Sequence, residues 1–414
     1  MRKSSYLAAE DASTISHTIA EVEPEHGAGV FGRRLSPPDL DDRRSRLTIP
    51  QTLFGRESEL AALESSVEGL VGGESSLLLV SGPSGCGKSS LIATGLQRLR
   101  LSGRVHVAAA SYEPDPQAAP YSALRQALST VVRQILAEDD AIAHWRQRLN
   151  HSLGANGQVM VDLIPELGWL IGPQPAPAEL APEAHRNRFL FTLGHFVAAL
   201  APPDHPLILV LDNLHWADAG SLEVLAAIAG DPQARALLLI GAYRTDPASP
   251  PAPAGDALPA ALATLEETGL SVQHLALTPL SLCATNGLVA AMLRDDPHAT
   301  LPLAERIQIY TLGNPFFVVE LMQALVSAGA ITRVAPEAGW RWDLAAVDRL
   351  DLGDDVAELL AGALRRLPEA TQRLLTVGAL MGSTFDLATL AQVQQTPVEA
   401  QTGFQHSTRD LAIA

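Results

Sequence analysis

The sequence predicts an α/β chain: a doubly wound parallel sheet followed by helical segments. Three observations carry that prediction. Short apolar runs alternate with stretches of helical periodicity between about residues 50 and 280, and strands alternating with helices build a parallel sheet covered on both faces. Two of the runs, SSLLLV and LILVL, stop at a glycine-rich stretch and at an acid; open α/β sheets place ligands at those carboxyl ends. Beyond about residue 280 the pattern turns helical, apart from a short hairpin expected in AITRVAPEAGWRWDL.

Taken in order, residues 1–49 are polar, and Arg33, Arg34, Arg43, Arg44 and Arg46 interleave with Asp39, Asp41 and Asp42. A solvated, unstructured segment is expected there, with a partner-binding arm as the alternative. The globular pattern opens with a helix carrying Leu60, Leu63, Val67 and Leu70 at helical spacing. SSLLLV reads as a buried strand and KSSLIATGLQRLR as the helix after it. GRVHVAAASY is the second strand, and PYSALRQALSTVVRQIL is an amphipathic helix opened by Pro120. Residues 140–172 read as irregularly helical, GPQPAPAELAP as a loop and AHRNRFLFTLGHFVAALA as a helix. LILVL, ALLLIGAYR and SVQHLALTPL supply strands three to five, and DPASPPAPAGDALP is a Pro/Ala loop.

Composition narrows the function. At 414 residues and 47% hydrophobic, the chain can fill two or three domains. With only 5% aromatics, the core must be mostly Leu, Ala, Val and Ile. A net charge of −17 argues against a protein whose main work is gripping nucleic-acid phosphates. Cys86 and Cys283 have no CxxC partners, which fits a reducing compartment. The first residues lack the apolar core of a signal peptide, and no apolar run approaches the ~20 residues of a membrane span. A cytoplasmic location is expected.

One decapeptide carries chemistry. SGPSGCGKSS contains Lys88, the only lysine besides Lys3, while the other 27 of the 29 basic residues are arginine. Gly82, Pro83, Ser84, Gly85, Cys86, Gly87, Lys88 and Ser89 fit the GxxxxGK[ST] phosphate loop in full, and Ser90 follows. Glycines let backbone N–H groups turn inward onto phosphate oxygens, and the next helix adds its positive end. Lys88 supplies a compact point charge where arginine's flat fork fits poorly. Ser89 offers a hydroxyl to Mg²⁺. ATP and Mg²⁺ are the expected ligands.

A phosphate loop needs an acid on a nearby strand to hold the metal, and Asp212, closing LILVL, is the candidate. Many hydrolysing ATPases place a second acid next, to orient the attacking water. Here that position is Asn213, whose amide can position water but cannot take its proton. Asp218 is the nearest alternative acid, or else the N-cap of AGSLEVLAAIA. Arg244 ends the fourth strand, where it can read the γ-phosphate or simply pair with Asp246 at the surface.

The ordered set TLFGRESEL, GPSGCGKSS, LILVLDNLHWAD, LIGAYR and GNPFFVVELMQAL resembles the Orc1-like AAA ATPase domain of bacterial signalling proteins, within the STAND class of P-loop NTPases. The likeness is strongest to the module found within multi-domain sensor kinases, and VDLIPELGWLIG, HRNRF and WRWDL share it. It spans roughly residues 49–395. The resemblance implies that Phe54, Gly55 and Arg56 lie near the adenine, and that Pro315 of GNPFF is a lid residue packing on the base. Arg56 as an ordinary helix-start residue and GNP as a plain turn stay open. It implies that Arg188 could reach a neighbour's nucleotide, a structural ion pair being the alternative. The implied layout is a P-loop NTPase core over 50–250, the last core strand and helical lid over 251–345, and a partial winged-helix-like segment over 346–414, expected to be incomplete.

The functional expectation is an ATP-dependent regulatory switch in signal transduction, with ATP and Mg²⁺ bound between sheet and lid and hydrolysis slowed by Asn213. The alternatives are a DNA-associated Orc1-like ATPase, or a non-hydrolysing ATP-bound interaction module. A protein partner, or self-association through the lid and helical region, is expected; nucleic acid is not. No HRD or DFG motif and no β3 lysine is present, so protein kinase activity by that route is excluded.

Overall fold

The computed structural model describes residues 47–100, 105–113, 119–138, 141–245, 257–267, 270–335, 339–349, 372–373 and 376–377. The polar segment before residue 47 and nearly all of the winged-helix-like segment lie outside the described residues.

The described chain divides into two compact units. The first comprises Ser58–Ser84 and Lys88–Leu277. It opens with α1 (Glu57–Val71), whose Leu63, Val67 and Leu70 are buried at helical spacing. Strand β1 (Ser76–Gly82) follows, then α2 (Lys88–Arg100), β2 (His106–Ser111) and α3 (Ser122–Leu136). Short helices α4 (Ile142–Leu153), α5 (Gly157–Leu163) and α6 (Leu167–Ile171) make the irregular region, and α7 (Pro182–Leu200) leads to β3 (Leu207–Asp212). Then come α8 (Ala219–Ala229), β4 (Leu237–Arg244), α9 (Ala257–Glu267) and β5 (Ser271–Ala276).

The five strands pair in parallel in the order β2-β3-β4-β1-β5. All five expected strands form, and the sheet is α/β as the alternation requires. The chain leaves β1 for the far edge at β2, then returns through β3 and β4 before crossing to β5. Burial follows that order. All six residues of interior strand β3 are buried, whereas edge strand β5 buries one of its six. Leu77, Leu79, Leu209, Leu211, Trp145 and Phe196 belong to one continuous core beneath the helices. Each buried Leu removes apolar area worth about 1.5–3 kcal/mol from water.

The second unit comprises residues 47–57 and 278–349 together with Gly85–Gly87, the middle of the phosphate loop. Its helices are α10 (Leu282–Leu293), α11 (Pro297–Thr311) and α12 (Pro315–Ser327). Strands β6 (Ile331–Ala335) and β7 (Gly339–Trp342) pair antiparallel as the expected hairpin, and α13 (Leu344–Arg349) follows. Val289, Leu303, Ile307, Val318, Leu321 and Leu325 form its own core.

Candidate nucleotide-phosphate site

In the first unit, β1 ends at Gly82 and α2 begins at Lys88, so the loop joins a strand to a helix N-terminus as its motif demands. Register places Gly82 beside Arg244, the last residue of β4, and Asp212 beside Ser111, the last residue of β2. Gly82, Asp212 and Arg244 therefore stand at the carboxyl ends of three neighbouring strands.

Lys88 is buried, and its Nζ donates to the carbonyls of Gly82 at 2.9 Å and Pro83 at 2.8 Å. The ammonium is folded over the loop, held by backbone oxygens. Ser89 Oγ donates to Asp212 Oδ2 at 2.9 Å. Asp212 is itself only 6% exposed, and its other oxygen accepts the Asn213 backbone N–H at 2.7 Å. Hydroxyl and carboxylate form an oxygen pair of the hard type that Mg²⁺ takes. Pro83 and Ser84 precede the loop's middle, and Ser90 is exposed on α2. Arg244 is exposed, with its side chain outside the buried sheet.

Asn213 adopts a left-handed backbone, φ 55 and ψ 40. Its Nδ2 donates to Ser111 Oγ at 2.9 Å. Sequence reasoning missed Ser111, because its pairing with Asp212 is a matter of strand register. It also missed Gly241 in β4. A Cβ there would stand 2.4 Å from Leu214 Cδ1, so glycine lets the turn after Asp212 lie against the sheet. Asp218 proves to be a cap. Its side chain accepts from Ser221 N at 2.9 Å and Ser221 Oγ at 2.6 Å at the start of α8. Arg188 Nη1 donates to the Ala178 carbonyl, and its Nη2 lies 3.1 Å from His185 Nδ1, contacts internal to this unit.

The remaining predicted residues belong to the second unit. Gly85 and Gly87 have φ of 73 and 92, the left-handed region that glycine enters without strain. A Cβ on Gly85 would meet Asn314 Oδ1 and Phe316 Cβ, both at 2.8 Å. The Phe316 N–H lies 3.3 Å from the Gly85 carbonyl and 3.1 Å from Asn314 Oδ1. Asn314 is thus the N-cap of α12, and Pro315 holds its first helical position. Phe316 and Phe317 are half-buried and meet edge to face at 5.4 Å. Cys86 is buried, and its carbonyl accepts from Arg56 Nη2 at 3.3 Å. Arg56, 5% exposed, also donates to the Thr278 carbonyl. The Gly55 N–H reaches Glu57 Oε1 at 3.2 Å, and the Phe54 ring packs over Gly287 of α10.

Residues 52–240 match the family described as AAA ATPase domain. That segment of the chain is an AAA ATPase domain, a P-loop NTPase on a parallel sheet. A hybrid signal transduction histidine kinase G of Dictyostelium discoideum is 23% identical over 418 residues, covering 86% of this chain and 12% of that protein. The chain thus spans about an eighth of that relative's length. Among solved structures, an Orc1 protein of Aeropyrum pernix in complex with DNA aligns at a TM-score of 0.42 and 16% identity, covering 88% of this chain and 85% of that one. A STAND protein with a tetratricopeptide repeat sensor from Pyrococcus horikoshii aligns at 0.44 and 12% identity, covering 85% and 38%.

Proposed function

We propose that the chain is an ATP- and Mg²⁺-binding regulatory ATPase that acts as a slow nucleotide-dependent switch in signal transduction. The observation that carries this reading is the grouping of Lys88, Ser89 and Asp212. A buried lysine bent over the loop backbone, next to a hydroxyl–carboxylate pair, has the donor set that a triphosphate and its magnesium need. Lys88 and the loop N–H groups would hold phosphate, and Ser89 and Asp212 would hold the metal. The metal supplies neutralisation of phosphate charge.

Slowness rests on Asn213. No carboxylate follows Asp212, and the Asn213 amide is tied to Ser111. Such a residue can orient water but cannot accept its proton. Arg244, beside Gly82 in register, is the residue proposed to sense the γ-phosphate. Phe54, Gly55, Arg56 and Pro315 are proposed nucleotide contacts on the strength of the family resemblance alone. A signalling role is supported by the signal transduction kinase named among the relatives, and a protein partner is proposed on the family resemblance alone. A cytoplasmic location agrees with the described residues holding no single helix long and apolar enough to cross a membrane.

Steady-state hydrolysis tests the switch reading. Turnover well below one per second is expected, and a wild-type rate of many per second would reject slowness.

A further inference from the structure

The first unit carries a second concave surface, away from the phosphate loop. Two open grooves of about 440 and 360 Å³ share His195 and Gln233. They lie toward the amino ends of the strands. α7 ends at Leu200 before β3 starts at Leu207, and the turn through Gln233 precedes β4 at Leu237. The phosphate loop stands at the opposite, carboxyl ends.

The larger groove is lined by Arg148 and His151 of α4, His195 of α7 and Gln233, with no carboxylate. On a chain of net charge −17, an acid-free hollow around a guanidinium selects an anion. Arg148 Nε donates to the Ala199 carbonyl at 2.9 Å, which anchors the side chain on the last turn of α7. Among the described residues Arg148 makes no ion pair. Its two Nη groups are left as a planar fork, the geometry that grips a carboxylate. Ser152 Oγ donates to the His195 carbonyl at 3.0 Å, so the walls are tied helix to helix.

The adjoining groove is mainly apolar. Leu190, Phe191 and Pro232 line it, and the Phe191 ring, 64% exposed, lies tilted against His195 with centroids 4.1 Å apart. Asp231 also lines this groove, its Oδ1 accepting the Gln233 N–H at 2.8 Å. Its charge repels a second acidic group there. One guanidinium, an apolar wall and a single acid confined to the adjoining groove describe one ligand class. We propose that this groove binds a small amphipathic monocarboxylate, with the carboxylate on Arg148 and the apolar body against Phe191. Both volumes fall within the ~300–1,000 Å³ of small-molecule sites. The proposal is independent of the nucleotide reading.

The test is calorimetric titration of the full chain with 4-phenylbutyrate and with decanoate, beside 4-phenylbutyramide. The expected result is saturable binding of a carboxylate, and at least about tenfold weaker binding of the amide. Binding should be lost in Arg148→Gln, weakened in Phe191→Ala and kept in Lys88→Ala. Gln233 is exposed, so Gln233→Glu adds a repelling charge without touching the core; it too should abolish binding, even if Arg148→Gln fails to fold. Equal binding of acid and amide, undiminished binding in Gln233→Glu, or no saturable binding of either acid would overturn the proposal.

Discussion

Asn213 joins the two claims made for the phosphate site at the level of single residues. Its left-handed backbone is one that Asn and Asp both enter at little cost, so Asn213→Asp keeps the turn and adds a carboxylate. That variant should raise steady-state ATP turnover about tenfold or more, given what a positioned base contributes. No gain would favour a non-hydrolysing module. Ser89→Ala removes the hydroxyl on Asp212 and should cut the Mg²⁺ dependence of ATP affinity while leaving metal-free binding little changed. Titrations with and without magnesium read this directly. A third residue bears on stability. His106 is buried among Glu138, His205 and Trp145, and burial holds its pKa below the ordinary 6.5, with Glu138 opposing. The unfolded chain takes up that proton near 6.5 and the folded chain only at lower pH. Its contribution is therefore full above 6.5 and is lost as pH falls toward the folded value. The thermal midpoint should drop on acidification from about pH 7.5 to pH 5.5. It should drop less in His106→Gln, and an equal drop in both proteins would remove His106 as the cause.

Among the elements, legibility in the sequence tracks locality. Strands β1, β3 and β4 could be read because each is a short apolar run that closes at the carboxyl-end site, and β3 is buried at all six positions. The loop could be read because its glycines, lysine and serine are contiguous. What escaped was set by pairing between distant segments. Ser111 meets Asn213 only because β2 pairs with β3 in one register, and Gly241 matters only because Leu214 folds back on β4. Asp218 was ambiguous between acid and cap, and the choice rested on where α8 begins. Two substitutions check the element-level account. Leu209→Ala in interior strand β3 should cost about 2–5 kcal/mol in denaturant unfolding, as for other large-to-small changes in a packed core. Gly241→Val should destabilise the chain as well, since its side chain has no room beside Leu214. A stable Gly241→Val with an unchanged unfolding midpoint would show that the turn after Asp212 sits differently.

For the whole chain, charge and family point the same way. Residues 52–240 match an AAA ATPase domain, and a net charge of −17 disfavours a grip on DNA phosphates. Duplex DNA at physiological salt should give no salt-dependent shift, and a steep salt slope would restore the DNA-associated reading. The central claim is that Lys88 and its neighbours bind ATP, and one measurement bears on it most directly: titration of ATP with Mg²⁺ into the wild-type chain and into Lys88→Ala, with folding of both checked by circular dichroism. Saturable wild-type binding weakened at least about tenfold in the variant, some 1.4 kcal/mol, is the predicted result. Equal affinity in the two proteins would contradict it.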